Sequence, residues 1–472
     1  MALTPNVAHL ELDMPGDPIA NPLVLGFTLL MGFLLLALPR RYAFVPVILL
    51  ACNMPMTPRL LIGGLNFPMI RILVLFGGAR IIFRKEWRGI KLTPIDKTLV
   101  WWAISSVVLH TLLWRTSDEC VYRLGQSYDA IGLYWLFRCV IRELDDVIRC
   151  FKIMAVLAVP LALAMLYENR TLSNAFVVFQ GFNGTPQMRE GIIRARGPFA
   201  NPILAGTYGG SLLPTFVALW PQSPFLATLG IASSTLITLT SRSSGPLMTY
   251  MASIIGLFMW FMRKKMRAVR WGILLALTGL ECVMKRHFWW AIAHMAIVPG
   301  SDAYHRSNII DQAIRHFSGW FLLGTKSTED WGYYLHDVTN QYIWEGINGG
   351  LLETALFVAI IVCCFRGVGR TVKGMEKEPF ALRFCVWALG AALFSDVVTF
   401  FSVQYFDQNF VKWYLLLAMI STISGPFISI KQTARHPSRS FTAESPAETG
   451  ESSGSGGEDF SFAPPHLRGF GR

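Results

Sequence analysis

The chain is a succession of long apolar runs, and this feature limits its fold more than any other. A membrane-spanning helix needs about 20 mostly apolar residues, and in lipid only helices and closed barrels satisfy their own backbone polar groups. The thirteen runs, of which the second is short, lie at residues 21–38, 42–53, 63–83, 98–114, 120–137, 153–167, 202–220, 225–240, 245–262, 271–284, 347–365, 384–401 and 410–430. The sequence therefore predicts an all-α, polytopic integral membrane protein with about 12–13 transmembrane helices.

The composition favours the same class. Charged residues make up 15% of the chain and hydrophobic residues 53%, whereas soluble domains carry about 25% charged residues. The net charge of +12 would suggest nucleic acid as a partner of a soluble protein. Here the lysines and arginines lie in short connections between apolar runs, as in the positive-inside pattern. The predicted partner is therefore the lipid bilayer and not nucleic acid.

Alternate connections differ in positive charge, which predicts the sidedness of the chain. One set, together with the C-terminal segment, holds 26 of the 42 lysines and arginines, and the other set holds 12. The clearest marker is the basic run at 263–267. Because cytoplasmic loops carry the excess of Lys and Arg, the first set and the C-terminus are predicted to be cytoplasmic. The two large polar loops, 168–200 and 285–346, then face outward.

The polar segments divide the chain into four predicted parts. Residues 1–284 hold the first transmembrane helices with the outer loop 168–200, and residues 347–430 hold the last ones. The loop 285–346 carries five of the nine histidines, and since most connections are far shorter, its length indicates a function. Residues 431–472 are rich in Ser, Pro, Gly and Glu and are predicted to be a disordered cytoplasmic tail.

Cysteine usage argues against a disulfide or metal framework. The eight cysteines lie in or beside apolar runs, and no His and Cys residues stand at the spacing of a zinc site. Small buried thiols explain this distribution. The sequence therefore predicts no disulfides and no structural metal; separately, we expect no cofactor.

Arginines occur where two outer connections re-enter the membrane. Arg194 and Arg196 closely precede Asn201 and the next apolar run. They form either an anion-binding site at the membrane surface or interfacial side chains that reach toward lipid headgroups. Arg242 lies in a very short turn between hydroxyl residues. Its guanidinium suits a phosphate, although the residue could equally cap the preceding helix.

The loop 285–346 places a further arginine at a helix start. Residues 287–295 are predicted to form a short interfacial helix, and a second helix is predicted to begin with Asp302 as its N-cap. Arg306 lies in the first turn of this second helix and shares a face with Ile309. A guanidinium on the inner face of a helix N-terminus is a favourable site for phosphate.

His336 lies near the point where the chain re-enters the membrane. A neutral imidazole there can accept a proton from a sugar hydroxyl, although a lone histidine is more often structural. Asp337 and Asn340 are close enough in sequence to orient its ring.

These features, in this order, resemble the O-antigen ligase and polymerase superfamily of bacterial envelope enzymes. The matching features belong to the outer loops and the membrane re-entry points. They are Arg196-Gly197-Pro198-Phe199-Ala200-Asn201-Pro202, Ser241-Arg242, Arg306, Phe321-Leu322-Leu323-Gly324, His336 and Glu345-Gly346…Gly349-Gly350-Leu351. The chain departs from the family pattern at Ser243, Asp337 and Thr325-Lys326, and these changes bear on substrate fit more than on the reaction class.

The resemblance implies an inverting, metal-independent glycosyltransferase of the bacterial inner membrane. Members of this family take a glycan from undecaprenyl diphosphate at the periplasmic face and pass it to a sugar hydroxyl. By the resemblance, Arg242 and Arg306 stabilise the leaving diphosphate and His336 is the catalytic base. The predicted substrate-binding residues are Arg194, Arg196, Asn201, Asp337 and Asn340.

Polymerase and ligase activities both stay open at this stage. A polymerase would extend lipid-linked repeat units of O-antigen or exopolysaccharide, beside a chain-length regulator and a flippase of the same pathway. A ligase would pass the finished glycan to lipid A core. The sequence does not separate the two, because they share the donor and the chemistry.

A third alternative is a polysaccharide or lipid transporter, which would use charges inside the membrane. Such charges occur at Arg71, Asp129, Glu281, Glu353, Asp396 and Lys412. The chain shows no internal repeat of the kind common in transporters, and its richest polar clusters lie in the outer loops.

Overall fold

The computed structural model describes residues 20–63, 65–179, 185–285, 287–294 and 303–435. These residues are mostly helical. The α-helices are α1 (Pro22–Ala37), α2 (Val45–Asn53), α3 (Met69–Phe83), α4 (Pro94–Trp114), α5 (Ser117–Val140), α6 (Leu144–Thr171), α7 (Pro202–Val217), α8 (Pro224–Thr240), α9 (Ser244–Phe258), α10 (Met266–Val283), α11 (Ala303–Arg315), α12 (Phe317–Trp320), α13 (Gln341–Gly374), α14 (Phe380–Thr399) and α15 (Gln408–Arg435).

Local sequence fixes the starts of several helices. Proline occupies the first position of α1, α4, α7 and α8, where its missing N–H is not needed. Asn21 and Asn201 each accept a hydrogen bond from a first-turn N–H of the following helix. Thr93 and Asp96 form a reciprocal capping box at α4. These caps define where an apolar run becomes helical.

All thirteen apolar runs fall, at least in part, on α-helices, so the prediction of an all-α membrane protein is confirmed to this extent. Within the described residues, four helical segments are long and apolar enough to cross a membrane: Leu144–Thr171, Ser244–Val283, Gln341–Gly374 and Phe380–Thr399. The helices α1 and α8 are apolar but shorter. The second run forms only the nine-residue helix α2. The total of 12–13 spans stays a prediction.

Two hydrogen bonds each join connections that were predicted to share a side of the membrane. The backbone N–H of Ala195 donates to the carbonyl of Thr240 at 3.1 Å, which joins two connections predicted to face outward. Arg40 donates to Asp146 at 3.0 Å, which joins two connections predicted to be cytoplasmic. The alternation of the connections and the side that each of them faces stay predictions.

Two short antiparallel hairpins were not predicted. Their strands are β1 (Arg59–Ile62) with β2 (Leu65–Pro68), and β3 (Gln187–Arg189) with β4 (Ile192–Arg194). The second strand of the first hairpin takes up the beginning of the run 63–83, and α3 begins directly after Pro68. Proline has no backbone N–H, so it is tolerated at the start of a helix but not in its interior. The second hairpin ends at Arg194 and so fixes the backbone of a predicted site residue.

The longest helix, α13, is interrupted at two glycines. Gly349 (φ −158°, ψ 24°) and Gly350 (φ 67°, ψ −165°) leave the helical conformation, and the conformation of Gly350 is essentially restricted to glycine. The preceding loop fits into this break, where the N–H of Leu351 donates to the carbonyl of Phe321 at 2.8 Å. Because α13 begins at Gln341, its first turn belongs to the segment predicted as loop.

The chain divides into two units, residues 1–430 and 431–472, at the boundary predicted for the tail. The described start of the second unit is helical, since α15 ends at Arg435. The rest of the predicted tail lies outside the described residues, as does Asp302, the predicted cap of the loop helix. The segment 287–295, predicted as a short helix, contains a 3-10 helix at Phe288–His294.

Candidate functional site

One buried carboxylate fixes the backbone around Arg196. Glu168, in the last turn of α6, accepts hydrogen bonds from the N–H of Arg196 at 3.1 Å and of Gly197 at 2.8 Å. Gly197 has φ +58°, a conformation that favours glycine, and Asn174 donates to its carbonyl at 2.8 Å. Arg196 is itself buried. Burial lowers the pKa of its guanidinium, and the Glu168 carboxylate acts in the opposite direction.

The residues that follow are held by the connection between α14 and α15 and by the first residue of α15. The N–H of Ala200 donates to Asp407 Oδ2 at 2.7 Å, and Gln408 Nε2 donates to the carbonyl of Pro198 at 3.0 Å. The side chain of Asn201 accepts a hydrogen bond from a first-turn N–H of α7 at 2.9 Å. Asn201 therefore caps a helix, and its predicted contact with substrate stays a prediction.

Two of the predicted arginines meet at the N-terminus of α9. Arg194 Nη2 donates to the hydroxyl of Ser243, the N-cap residue, at 2.6 Å. Arg306 is only 4% exposed, and its Nη2 lies 3.4 Å from the point where a Cβ on Gly245 would stand. We call Arg194, Arg306 and residues 243–245 the arginine cluster. Two guanidinium groups beside a helix N-terminus form an arrangement suited to an anion.

Arg242 lies in the turn immediately before the arginine cluster. Its side chain is exposed and its φ is +48°. Its N–H donates to the carbonyl of Leu239 at 3.2 Å, so the residue terminates α8. Capping of the preceding helix was one of the two roles that the sequence left open for Arg242. Its predicted contact with a phosphate stays a prediction.

The His336 segment contacts the start of α11. His336 is half-buried, and its ring lies 5.7 Å from that of Tyr334. The carbonyl of the next residue, the exposed Asp337, lies 2.9 Å from His305 Nε2. Because His305 directly precedes Arg306, this contact brings the predicted base close to the start of the helix that supplies an arginine of the cluster.

Asn340 ties the same segment to the connection between α14 and α15. It is buried, and its side chain accepts from the N–H of Ile343 at 3.1 Å, which caps α13. Its Nδ2 donates to the carbonyl of Phe401 at 3.2 Å. The structure thus assigns Asn340 a capping and positioning role, and its predicted contact with substrate stays a prediction.

The geometry therefore gathers segments that are distant in sequence: 194–201, 243–245, 305–306 and 336–340. No family model matches this chain, and no curated protein matches it. What the site can do chemically is consequently argued from its residues. Its positive groups suit a diphosphate, and its half-buried histidine suits proton transfer.

A cavity of about 330 Å³ inside the bundle is a further site, which the sequence-based predictions did not include. Two ion pairs reach its wall. Arg71 donates to both carboxylate oxygens of Asp129, at 3.0 and 2.7 Å, and Arg123 pairs with Glu353. The sequence signal was the presence of charges within apolar runs. That signal was assigned to the transporter alternative, because the pairing of the charges is visible only in three dimensions.

Glu345 and Gln341 extend the polar wall of this cavity. The Glu345 carboxylate accepts hydrogen bonds from Trp102 Nε1 at 2.9 Å and from Gln341 Nε2 at 2.8 Å. The Gln341 side chain in turn accepts from the N–H of Tyr405 at 2.7 Å. This network joins α4, α13 and the connection between α14 and α15.

Among the described residues, no group of three or more His, Cys, Asp or Glu side chains could hold a metal ion. All eight cysteines are free thiols in the structure. A reaction without metal stays a prediction of the sequence.

Proposed function

We propose that the protein is a membrane glycosyltransferase that polymerises undecaprenyl-diphosphate-linked repeat units of a surface polysaccharide at the periplasmic face of the bacterial inner membrane. One observation carries the proposal. Arg194 and Arg306, from the two large loops predicted to face outward, reach the same helix N-terminus. A site of this kind at the end of a membrane bundle suits a lipid diphosphate.

The arginine cluster can stabilise the leaving group. When a sugar is transferred from a lipid diphosphate, negative charge develops on the diphosphate as the sugar–oxygen bond breaks. The guanidinium groups of Arg194 and Arg306 and the N-terminal N–H groups of α9 are already in place to receive that charge. Arg306 is buried, and a charge–charge contact strengthens where water is excluded.

His336 supplies the base in this proposal. The oxygen of the acceptor hydroxyl attacks the anomeric carbon, and His336 takes the hydroxyl proton. The bond from the anomeric carbon to the diphosphate oxygen breaks, and the leaving diphosphate keeps the electron pair. A single displacement of this kind inverts the configuration at the anomeric carbon. Asn340 fixes the segment that carries His336, since it bonds both α13 and Phe401.

The test is an extension reaction with a single sugar substrate. Purified protein in lipid nanodiscs is incubated with the undecaprenyl-diphosphate repeat unit alone, and product length is followed on a gel. Longer lipid-linked chains establish a polymerase, whose cellular partners would be a chain-length regulator and a flippase. A unit that is consumed only when lipid A core is added identifies a ligase. If neither reaction yields a product, the proposal is wrong.

The intramembrane ion pairs favour the transporter, the third of the alternatives that the sequence left open. Lys412 Nζ lies 2.7 Å from Asp396 Oδ1, and buried charges of this kind often mark transport pathways. Sidedness separates the candidates, because the transferase needs its large loop outside. Tyr333 is 87% exposed, so Tyr333→Cys, made in a Cys282→Ser background because Cys282 is exposed, can be labelled with an impermeant maleimide. If the cysteine at position 333 is labelled only after the membrane is permeabilised, the loop is cytoplasmic and the transferase proposal is wrong.

A further inference from the structure

The cavity and the arginine cluster lie on the two sides of one connection, residues 401–407. The point where a Cβ on Gly245 would stand is 3.4 Å from Arg306 and 3.7 Å from Val403 Cγ2. The residues that follow Val403, at 404–407, line the cavity. One short segment therefore contacts the proposed diphosphate site and forms part of the cavity wall.

The two arginines that line the cavity are already paired with carboxylates. Arg71 is held by both oxygens of Asp129, and Arg123 pairs with Glu353 and donates to Ser106 at 2.5 Å. A free anion would compete with these carboxylates and would gain little. A neutral ligand with many hydroxyl groups can instead bond to guanidinium, amide and carboxylate atoms without burying a net charge.

Aromatic rings make up much of the remaining wall. Trp102, Trp344, Trp413, Tyr414 and Phe406 all line the cavity. A pyranose ring carries C–H groups on its faces and hydroxyls at its edge, so it packs on aromatic faces while its rim forms hydrogen bonds. The volume of about 330 Å³ lies at the lower end of the range for ligand pockets, ~300–1,000 Å³. Paired charges, amides and stacking surfaces together fit a sugar.

We infer that this cavity binds a neutral sugar ring, the terminal sugar of the acceptor chain. Its position supports the acceptor role, because Gln341, which lines the cavity and bonds Glu345, directly follows the segment 336–340 that carries His336. A sugar seated there would direct a hydroxyl toward the His336 segment and toward a donor held by the arginine cluster. The role as acceptor site rests on the proposed function, whereas the binding of a sugar does not.

The experiment measures sugar binding directly. The probe is the lipid-free repeat-unit oligosaccharide released by mild acid from the host's own surface polysaccharide. Binding to the full chain is measured by calorimetry in nanodiscs, since a sugar-headed detergent would compete. Ser127 lines the cavity, and Ser127→Phe places a ring in it. Leu124 is 50% exposed on the same helix, so Leu124→Phe is the matched control.

We expect Ser127→Phe to weaken binding at least tenfold and Leu124→Phe to bind as the wild type does. Tyr122→Phe is a milder second variant, in case Ser127→Phe does not fold. It removes the hydroxyl of a residue that lines the cavity and should weaken binding about fivefold, the effect of one lost hydrogen bond. Arg306→Ala should bind the free oligosaccharide normally, because that residue is assigned to the diphosphate.

The outcomes separate this inference from the proposed function. If the wild type binds the oligosaccharide and the variants change its affinity as expected, but the protein never extends lipid-linked repeats, the cavity is a sugar site and the proposed function is wrong. If the wild type polymerises while Ser127→Phe keeps wild-type sugar affinity and acceptor KM, the inference is wrong and the function stands. A wild type that does not bind the oligosaccharide also overturns the inference.

Discussion

The carboxylate of Asp407 lies 2.7 Å from the backbone nitrogen of Ala200, and this hydrogen bond joins the connection 401–407 to the segment that carries Arg196. Asp407 has φ +60°, a conformation that Asp and Asn tolerate better than most residues. Burial raises the pKa of the Asp407 carboxyl to about 7, although backbone N–H groups of Ala200 and Met56 act to lower it. The contact between the site and the cavity wall is therefore sensitive to protonation near neutral pH.

We predict that Asp407 makes the protein less stable as the pH rises. Its ordinary pKa is 3.8 and its folded-state pKa is about 7, so the folded protein binds the proton more tightly than the unfolded chain does. Its contribution is complete below about pH 4 and is lost as the pH rises through about 7, on the order of 1.4 kcal/mol per pKa unit. Thermal unfolding in nanodiscs between about pH 5 and pH 8 measures the slope.

The control for this prediction is Asp407→Asn. Asparagine keeps the acceptor oxygen and tolerates the left-handed backbone, but it does not titrate. The Tm of the variant should fall less over the same pH range than the Tm of the wild type. Equal slopes for the two proteins would show that Asp407 does not titrate near neutrality.

Arg306→Ala should lower the rate of polymer formation by about 10²–10³-fold, the effect of removing one donor that stabilises a developing charge. Arg306→Lys should recover only part of the rate, because an ammonium lacks the planar fork of the guanidinium. The control is Arg315→Ala on the same helix, where the side chain is 70% exposed and pairs with Asp311. Initial rates are compared at equal protein amounts with Tm as the check on folding. Undiminished polymer from Arg306→Ala would remove the arginine cluster from the mechanism.

Local sequence was sufficient to predict most helices, because their signals are local. An apolar run supplies the span, and a cap such as Asn201 with Pro202 supplies the start. The first turn of α13 was assigned to the loop because Gln341 and Glu345 are polar. Trp102 satisfies Glu345 from another helix, and such tertiary partners are not visible in a single sequence.

The site was predicted residue by residue but not as an arrangement. Arg194 stood out because it precedes a point of membrane re-entry, and Arg306 because it lies in the first turn of a predicted helix. Arg194 contacts Ser243 and Arg306 lies beside Gly245, and this arrangement depends on how three connections pack. Asn340 did carry a local signal, because an asparagine directly before a helix is typical of an N-cap, and it forms that cap in the structure. The cavity was missed because Arg71 and Arg123 look unpaired until the chain is folded.

Gly349→Ala should destabilise the protein strongly, because the break in α13 leaves no room for a side chain. A Cβ at this position would stand 1.7 Å from Glu353 Oε2, so the buried carboxylate that pairs with Arg123 would have to move. Breaking a buried ion pair costs about 3–5 kcal/mol. The matched control on the same helix is Gly369→Ala, where the added carbon has no atom within 4 Å and should stabilise by about 0.5–1 kcal/mol. Similar Tm values for the two variants would contradict this account of the break.

His336→Ala should lower polymer formation by about 10²–10⁴-fold, the usual contribution of a general base. The affinity of the His336→Ala variant for the lipid-linked donor should stay unchanged, because the arginine cluster and not the histidine holds the diphosphate. His316→Ala is the control from the same loop, since the His316 ring stacks on Trp331 at 5.5 Å. Added imidazole should restore part of the rate to His336→Ala and none to Arg306→Ala, which a purely structural role of His336 would not produce. Full activity of His336→Ala would leave the acceptor hydroxyl without its proposed base and would require another residue of the 336–340 segment to take the proton.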